Sequence, residues 1–272
     1  MAHWEDSKVA GDYAVYRPEY PAQLFSEILA ELRQHGVMRE AMLDVGCGSG
    51  QAMLPLAPHF RRCLGVDVSQ SQVEACRKQL ERKLDKAVAD RCSVAVGGAS
   101  DFAMPADVRS VDLVTVAQAM HWFDMEAFGA QLNKHLRPGG LLVAWTYGLT
   151  QLEPQPCNDI LKELDAKLMA EGHWPPERRH VDDGFAKLIP LVPYPLIRTV
   201  TLNPTAERSL DAFVSYLGTW SGITRYEKAT GDKQLLATVK SRMAAHLGPD
   251  KMLCTTLPIK VLVFRRPAGA KL

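Results

Sequence analysis

The sequence predicts an α/β fold built on a doubly wound, mainly parallel sheet, and three observations predict it. Between residues 38 and 147, short apolar runs that each end in a turn alternate with patterns of helical spacing. The runs are apolar throughout, as strands buried on both faces are, and strand–helix alternation at this rhythm closes as right-handed crossovers into a parallel sheet. A glycine-rich turn stands where the first strand passes into the next helix. The length, 272 residues at about 150 per domain, leaves room for one core with appended segments.

Taken in order, residues 1–37 form an arm and a helix. Tyr13 to Pro21 is aromatic and carries two prolines, so an ordered, non-helical arm is expected there. Pro21 opens a helix whose apolar line is Leu24, Phe25, Ile28, Leu29 and Leu32, stopped at Gly36. Residues 38–147 are the α/β core, with strands over Met42–Val45, Cys63–Asp67, Ser93–Val96, Val111–Val116 and Gly140–Trp145. The helices between them are expected over 50–58, along Val73, Cys76, Leu80 and Leu84, and over 125–136. Residues 148–197 break the rhythm with seven prolines around one helix, along Ile160, Leu161, Leu164 and Leu168, and read as a helical lid insertion on the substrate side. Residues 198–272 complete the sheet, with a strand over Leu196–Leu202, helices at about 207–217 and 232–247, and a strand over Leu257–Phe264.

Composition excludes several functions. Charges nearly cancel, 32 Lys and Arg against 31 Asp and Glu, so no overall field draws the chain to nucleic acid or an anionic membrane. No apolar run approaches the roughly 18 residues of a membrane span, and the start of the chain lacks a secretory pattern, so the expected compartment is cytoplasmic. Six cysteines without a C-x-x-C pair are expected to be reduced and mostly buried, and no metal site is expected.

The feature that carries chemistry is Leu43-Asp44-Val45-Gly46-Cys47-Gly48-Ser49-Gly50, followed by Gln51. Glycines there let backbone approach a ligand at a helix N-terminus. Asp67 lies at the end of the second strand, where a carboxylate accepts both ribose hydroxyls of a nucleotide cofactor. Two cofactors compete for such a site. A carboxylate at position 44 repels a pyrophosphate and suits the ammonium and sulfonium of S-adenosylmethionine, and no Lys-Ser or Lys-Thr follows the glycines as a phosphate loop requires.

These motifs resemble those of the class I S-adenosylmethionine-dependent methyltransferases, over most of the chain. The resemblance implies a seven-stranded sheet whose last strand runs antiparallel, with S-adenosyl-L-methionine as cofactor and S-adenosyl-L-homocysteine as product. It assigns cofactor contacts to Asp44, Gly46, Gly48, Gly50, Gln51, Asp67 and Val68. It adds Ala99 and Ser100 after the third strand, although Ser100 replaces a commonly acidic residue, and Ala117, Gln118 and Trp122 after the fourth. Tyr16-Arg17-Pro18-Glu19-Tyr20-Pro21, His121-Trp122-Phe123 and Tyr216-Leu217-Gly218-Thr219-Trp220-Ser221 resemble the trans-aconitate methyltransferase-like group, some of whose members methylate small carboxylic acids.

Methyl transfer from a sulfonium is an in-line displacement, so positioning and exclusion of water supply most of the catalysis. A carboxylate acceptor needs no base; a hydroxyl or ammonium does. His121 is the candidate base or orienting residue, and Trp122 either lines the cofactor pocket or packs in the core. In the arm, Tyr16 and Arg17 are expected to fold over the cofactor, Arg17 pairing its carboxylate. Tyr13, Tyr20, Trp145, Trp174 and Trp220 are the candidate substrate contacts, with the cationic stretch His173 to His180 facing an anionic acceptor. The expected function is methyl transfer to a small-molecule acceptor, a carboxylic acid being one class. A nicotinamide-dependent oxidoreductase and a non-catalytic S-adenosylmethionine-binding protein are the alternatives. Nucleic acid and membrane are not expected as partners, and the chain is read as a monomer or homodimer.

Overall fold

The computed structural model describes residues 19–269, which form two compact units.

The larger unit, Glu19–Thr146 with His180–Leu202 and the residues from Ile259, holds the main sheet. Its strands are β1 (Ala41–Val45), β2 (Arg62–Asp67), β3 (Cys92–Val96), β4 (Val111–Ala117), β5 (Leu136–Tyr147), β7 (Leu196–Leu202) and β10 (Ile259–Arg265). They lie in the order β3-β2-β1-β4-β5-β10-β7. β1 pairs in parallel with β2 and β4, β2 with β3, and β4 with β5, whereas β10 is antiparallel to β7. β1, all of it buried, is therefore the point from which the chain winds both ways, and in sheets of this topology a ligand binds beyond the carboxyl ends of the strands at that point, here β1 and β4.

Each helix of this unit covers the sheet for a local reason. α1 (Ala22–Gln34) starts at Pro21 and buries Leu24, Phe25, Ile28 and Leu32. Its Glu31, 2% exposed, and Glu27 both pair with Arg198 on β7. α2 (Gln70–Lys83) is capped by Ser69 Oγ, which accepts from Gln72 N, and buries Val73, Cys76 and Leu80. α3 (Met125–His135) is capped by Asp124, which accepts from the N–H groups of Glu126 and Ala127 at 3.1 Å. The helix expected over 50–58 is only Met53–Leu56 and a tight turn over Ala57–His59, because Pro55 and Pro58 remove two backbone donors.

The smaller unit comprises Tyr147–Arg179 and Asn203–Pro258. It has its own antiparallel sheet, in which β9 (Met252–Thr256) lies between β6 (Gln151–Glu153) and β8 (Thr205–Ser209). Four helices, α4 (Gln155–Ala170), α5 (Leu210–Gly218), α6 (Ser221–Thr230) and α7 (Leu235–Ala244), complete it. This division departs from the expected 148–197 lid and 198–272 core. Val181, Phe185, Leu188, Val192 and Tyr194 bury themselves in the core of the larger unit. Leu210, Phe213 and Leu217, expected under the main sheet, share a core with Leu161, Leu164 and Leu168.

Candidate functional site

The turn after β1 is held by glycine conformation. Gly46, Gly48 and Gly50 all have positive φ, at 71°, 52° and 90°, where L side chains are strained. Their reasons differ. A Cβ on Gly46 would lie 2.6 Å from Ala119 Cβ, and one on Gly50 2.8 Å from Cys76 Sγ, so these two glycines serve packing. A Cβ on Gly48 would meet nothing nearer than Gln72 Oε1 at 3.8 Å, so at Gly48 the missing side chain leaves open space. The N–H groups of Gly46 and Cys47 both donate to Val66 O, which ties the turn to the end of β2.

Asp67 ends β2 and organises that turn as well as facing it. Gly48 N donates to its Oδ2 and Ser69 N to its Oδ1, each at 2.9 Å. Burial raises its pKa, against the pull of those two N–H groups. The carboxylate keeps lone pairs beyond the two bonds it accepts, so ribose hydroxyls have acceptors there.

Asp44 sits inside β1 with no exposed surface. Thr115 Oγ1 on β4 donates to its Oδ1 at 2.7 Å, while Oδ2 is buried with no hydrogen-bond partner among the described residues. Burial pushes its pKa up to about 7, the Thr115 bond opposing and Asp67 adding to the rise. This revises the electrostatic discrimination expected of Asp44: near neutral pH it is not a permanent negative charge but one that a cationic ligand would help ionise.

The loop after β4 supplies the next residues. Ala117 ends β4, and Gln118 takes a left-handed φ of 54°. Its N–H donates to Trp145 O at 3.0 Å and its Oε1 accepts from Thr146 Oγ1 at 2.7 Å. His121 and Trp122 follow in one turn of 3₁₀ helix, their rings 4.8 Å apart, with Phe185 6.1 Å from the His121 ring. Trp122, 45% exposed, is not a core residue. Trp145, opposite Ala117 on β5, is fully buried and edge-on to Tyr20, with ring centroids 5.4 Å apart. Among the described residues, its indole Nε1–H has no hydrogen-bond partner.

Among the other expected contacts, Gln51 is half-buried in the glycine turn and Val68 is 70% exposed beside Asp67. In the loop after β3, Ala99 packs on the core and Ser100 O accepts from Gln131 Nε2 at 2.9 Å. Trp174 and Trp220 lie in the smaller unit, buried with ring centroids 5.4 Å apart; Trp174 Nε1 donates to Asp165 and its ring carries Arg178 at 4.5 Å. They are core residues there. Tyr13, Tyr16 and Arg17 lie outside the described residues. Sequence reasoning missed Thr115 and Ser69, which hold Asp44 and Asp67. The signal for Thr115 was a hydroxyl in the otherwise apolar end of β4; Ser69 reaches Asp67 through its backbone N–H, which residue type does not reveal.

The order of strands, the glycine turn with open space at Gly48, the buried Asp44 and the half-buried Asp67 together fit a nucleoside cofactor with a cationic end. A family model described as a methyltransferase domain matches residues 43–144, from β1 to β5. A solved structure of a candidate type II methyltransferase from Anaeromyxobacter dehalogenans is 36% identical, covers 93% of this chain and 99% of its own, and superposes with a TM-score of 0.73. The chain belongs to the class I S-adenosylmethionine-dependent methyltransferases.

The methyltransferase is also 27% identical over 263 residues to a Dictyostelium discoideum protein named as a methyltransferase, covering 95% of this chain and 93% of that one. It is 34% identical over 136 residues to a Saccharomyces cerevisiae protein named as an S-adenosylmethionine-dependent methyltransferase, CRG1, of which it spans 44%. Its cofactor is S-adenosyl-L-methionine, which sets aside the nicotinamide-dependent oxidoreductase. Among the described residues, no helix is long and apolar enough to cross a membrane.

Proposed function

We propose that this methyltransferase acts on a small-molecule acceptor that offers a carboxylate oxygen, as the resemblance to the trans-aconitate methyltransferase-like group suggests. The observation that supports this most directly is the indole N–H of Trp145, a fully buried donor at the carboxyl end of β5 with no partner among the described residues. A buried donor left unmade costs about 1–3 kcal/mol, so a ligand oxygen that accepts from it recovers that cost on binding. When bound, S-adenosylmethionine supplies the electrophilic methyl group. Asp67 holds the ribose, Gly48 leaves room for close approach, and Asp44 balances the positive charge at the methionine end.

A carboxylate acceptor is already ionised near neutral pH, so the chain need only position it and exclude water. His121, beside Trp122 and Phe185, then serves to orient the loop after β4. A hydroxyl acceptor would instead require His121 as a base.

The test is a mass-spectrometric screen of small acids, phenols and amines for gain of one methyl, run beside His121→Ala and Trp145→Phe. The proposal expects methyl esters, little loss of kcat in His121→Ala, and a raised KM for the acceptor in Trp145→Phe. Methylation confined to phenols or amines, with activity abolished in His121→Ala, refutes it.

A further inference from the structure

Two pairs of cysteines lie on neighbouring elements of the larger unit, and their surroundings differ. Cys47, in the glycine turn, and Cys76, on α2, are both buried, and the Cys47 thiol is pushed up by the Cys76 hydrogen bond and by burial. Neither member of that pair is exposed, so no oxidant reaches a first thiol there. Cys63 and Cys92 stand at the starts of β2 and β3, in register across a parallel pair. Register partners share a face of the sheet, with Cα atoms about 4.8 Å apart, inside the roughly 4.4–6.8 Å span that a disulfide bridges. Each follows an arginine in the chain; Arg62 pairs with Asp107 at 2.8 Å, and Arg91 donates to Ala87 O and Phe60 O. Cys63 is fully buried, whereas Cys92, on an edge strand, is half-buried.

In the neutral pair, Cys92 Sγ donates to Val88 O at 3.3 Å and Cys63 Sγ to Ala57 O at 3.6 Å. A Cys92 thiolate instead accepts from the Cys63 S–H. That bond, aided by the Arg91 and Arg62 charges and opposed by burial, holds the Cys92 thiol below its ordinary value, while the same bond and burial raise Cys63 against the pull of the two arginines.

We propose that Cys92 and Cys63 form an oxidation site, Cys92 reacting with hydrogen peroxide and Cys63 resolving the product into a reversible cross-strand disulfide. The Cys92 thiolate attacks one peroxide oxygen, giving a sulfenic acid and hydroxide. The Cys63 sulfur then displaces hydroxide from the sulfenic sulfur, and its proton leaves with that oxygen as water. Two thiols are oxidised and one peroxide is reduced to two waters. The site lies at the amino ends of β2 and β3. It is separated from Asp67 by four strand residues' rise, roughly 13 Å, so it is distinct from the cofactor crevice.

The full chain is treated with hydrogen peroxide, blocked with iodoacetamide, and mapped by mass spectrometry before and after dithiothreitol. The expected result is a Cys63–Cys92 linked peptide that dithiothreitol removes, and, without peroxide, alkylation of Cys92 about tenfold faster than of Cys47 or Cys76. In Cys63→Ser, dimedone traps a Cys92 sulfenic acid; in Cys92→Ser, no disulfide forms. Oxidation that links Cys47 to Cys76, that runs to a sulfinic acid at Cys92 in the wild-type chain, or that leaves Cys92 unmodified overturns the proposal. The wild-type map alone decides the matter if either variant fails to fold.

Discussion

Replacing Asp44 with Asn removes a buried titration and keeps its shape. The Oδ1 acceptor for Thr115 survives, and only the charge at the unpartnered Oδ2 is lost. In the folded chain Asp44 titrates at about 7 against an ordinary 3.8. Between those two values the folded state holds a proton that the unfolded chain has released. The contribution is therefore fully present below about pH 4 and is lost as pH rises through about 7. A difference of about 3 pH units corresponds to about 4 kcal/mol. The assay is urea unfolding of wild type and Asp44→Asn at several pH values from 4 to 8, comparing the two at each pH so that other carboxylates cancel. The variant should gain on the wild type by an amount of order 4 kcal/mol across this range. A difference between the two proteins that stays flat to within about 1 kcal/mol would refute the reasoning. Because a cationic ligand favours the ionised form, wild-type affinity for S-adenosylmethionine should also strengthen as pH rises over the same window.

The other predictions concern the cofactor turn and the packing beneath it. Gly46→Ala, whose Cβ meets Ala119, should cost roughly 2–4 kcal/mol of stability by denaturant titration. Gly48→Ala should cost only about 1–2 kcal/mol in strain yet weaken S-adenosylhomocysteine binding roughly tenfold or more, read from ligand-induced thermal shifts; unchanged binding would deny that the open space at Gly48 is used. Asp67→Asn should weaken the same binding by roughly tenfold to a hundredfold, because it removes the charge from the acceptor of two backbone N–H groups and of the ribose. Arg198→Ala leaves Glu31 buried without its main cation and should destabilise the chain by roughly 2–3 kcal/mol, an effect that Glu31→Gln in the same chain reduces.

Elements were legible in the sequence where burial on both faces wrote a continuous apolar run. β1, β2 and β4 fall within a residue or so of expectation, and Leu196–Leu202 is the strand predicted. β6, β8 and β9 carry no such run. Thr205-Ala206-Glu207-Arg208-Ser209 is almost wholly exposed, so hydrophobicity had nothing to report. α6 was missed because Gly222, Ile223 and Thr224 are poor helix formers; Gly222 is there because a Cβ would lie 3.0 Å from the Trp174 ring. For the site, the glycine turn and Asp67 were readable because backbone conformation and ribose recognition constrain residue type. The environment of Asp44 was not, since the burial that raises its pKa comes from strands distant in sequence. Aromatic residues alone misled where Trp174 and Trp220, expected at the substrate, fill a core.

The place of β10 in the sheet sets an order on folding. It lies between β5 and β7, yet it follows both in the chain, after the whole of the smaller unit's second segment. Arg266, just beyond β10, exchanges backbone bonds with Gly139 and Gly140 at the start of β5. Until β10 arrives, β5 and β7 each present an open edge of unpaired donors and acceptors, which is the surface on which chains aggregate. Closing the sheet therefore waits on the most non-local pairing in the larger unit, so assembly is governed by a late insertion rather than by growth outward from β1. A chain that ended before Ile259 would encode the cofactor turn but leave β7 cut off from the five strands β3-β2-β1-β4-β5.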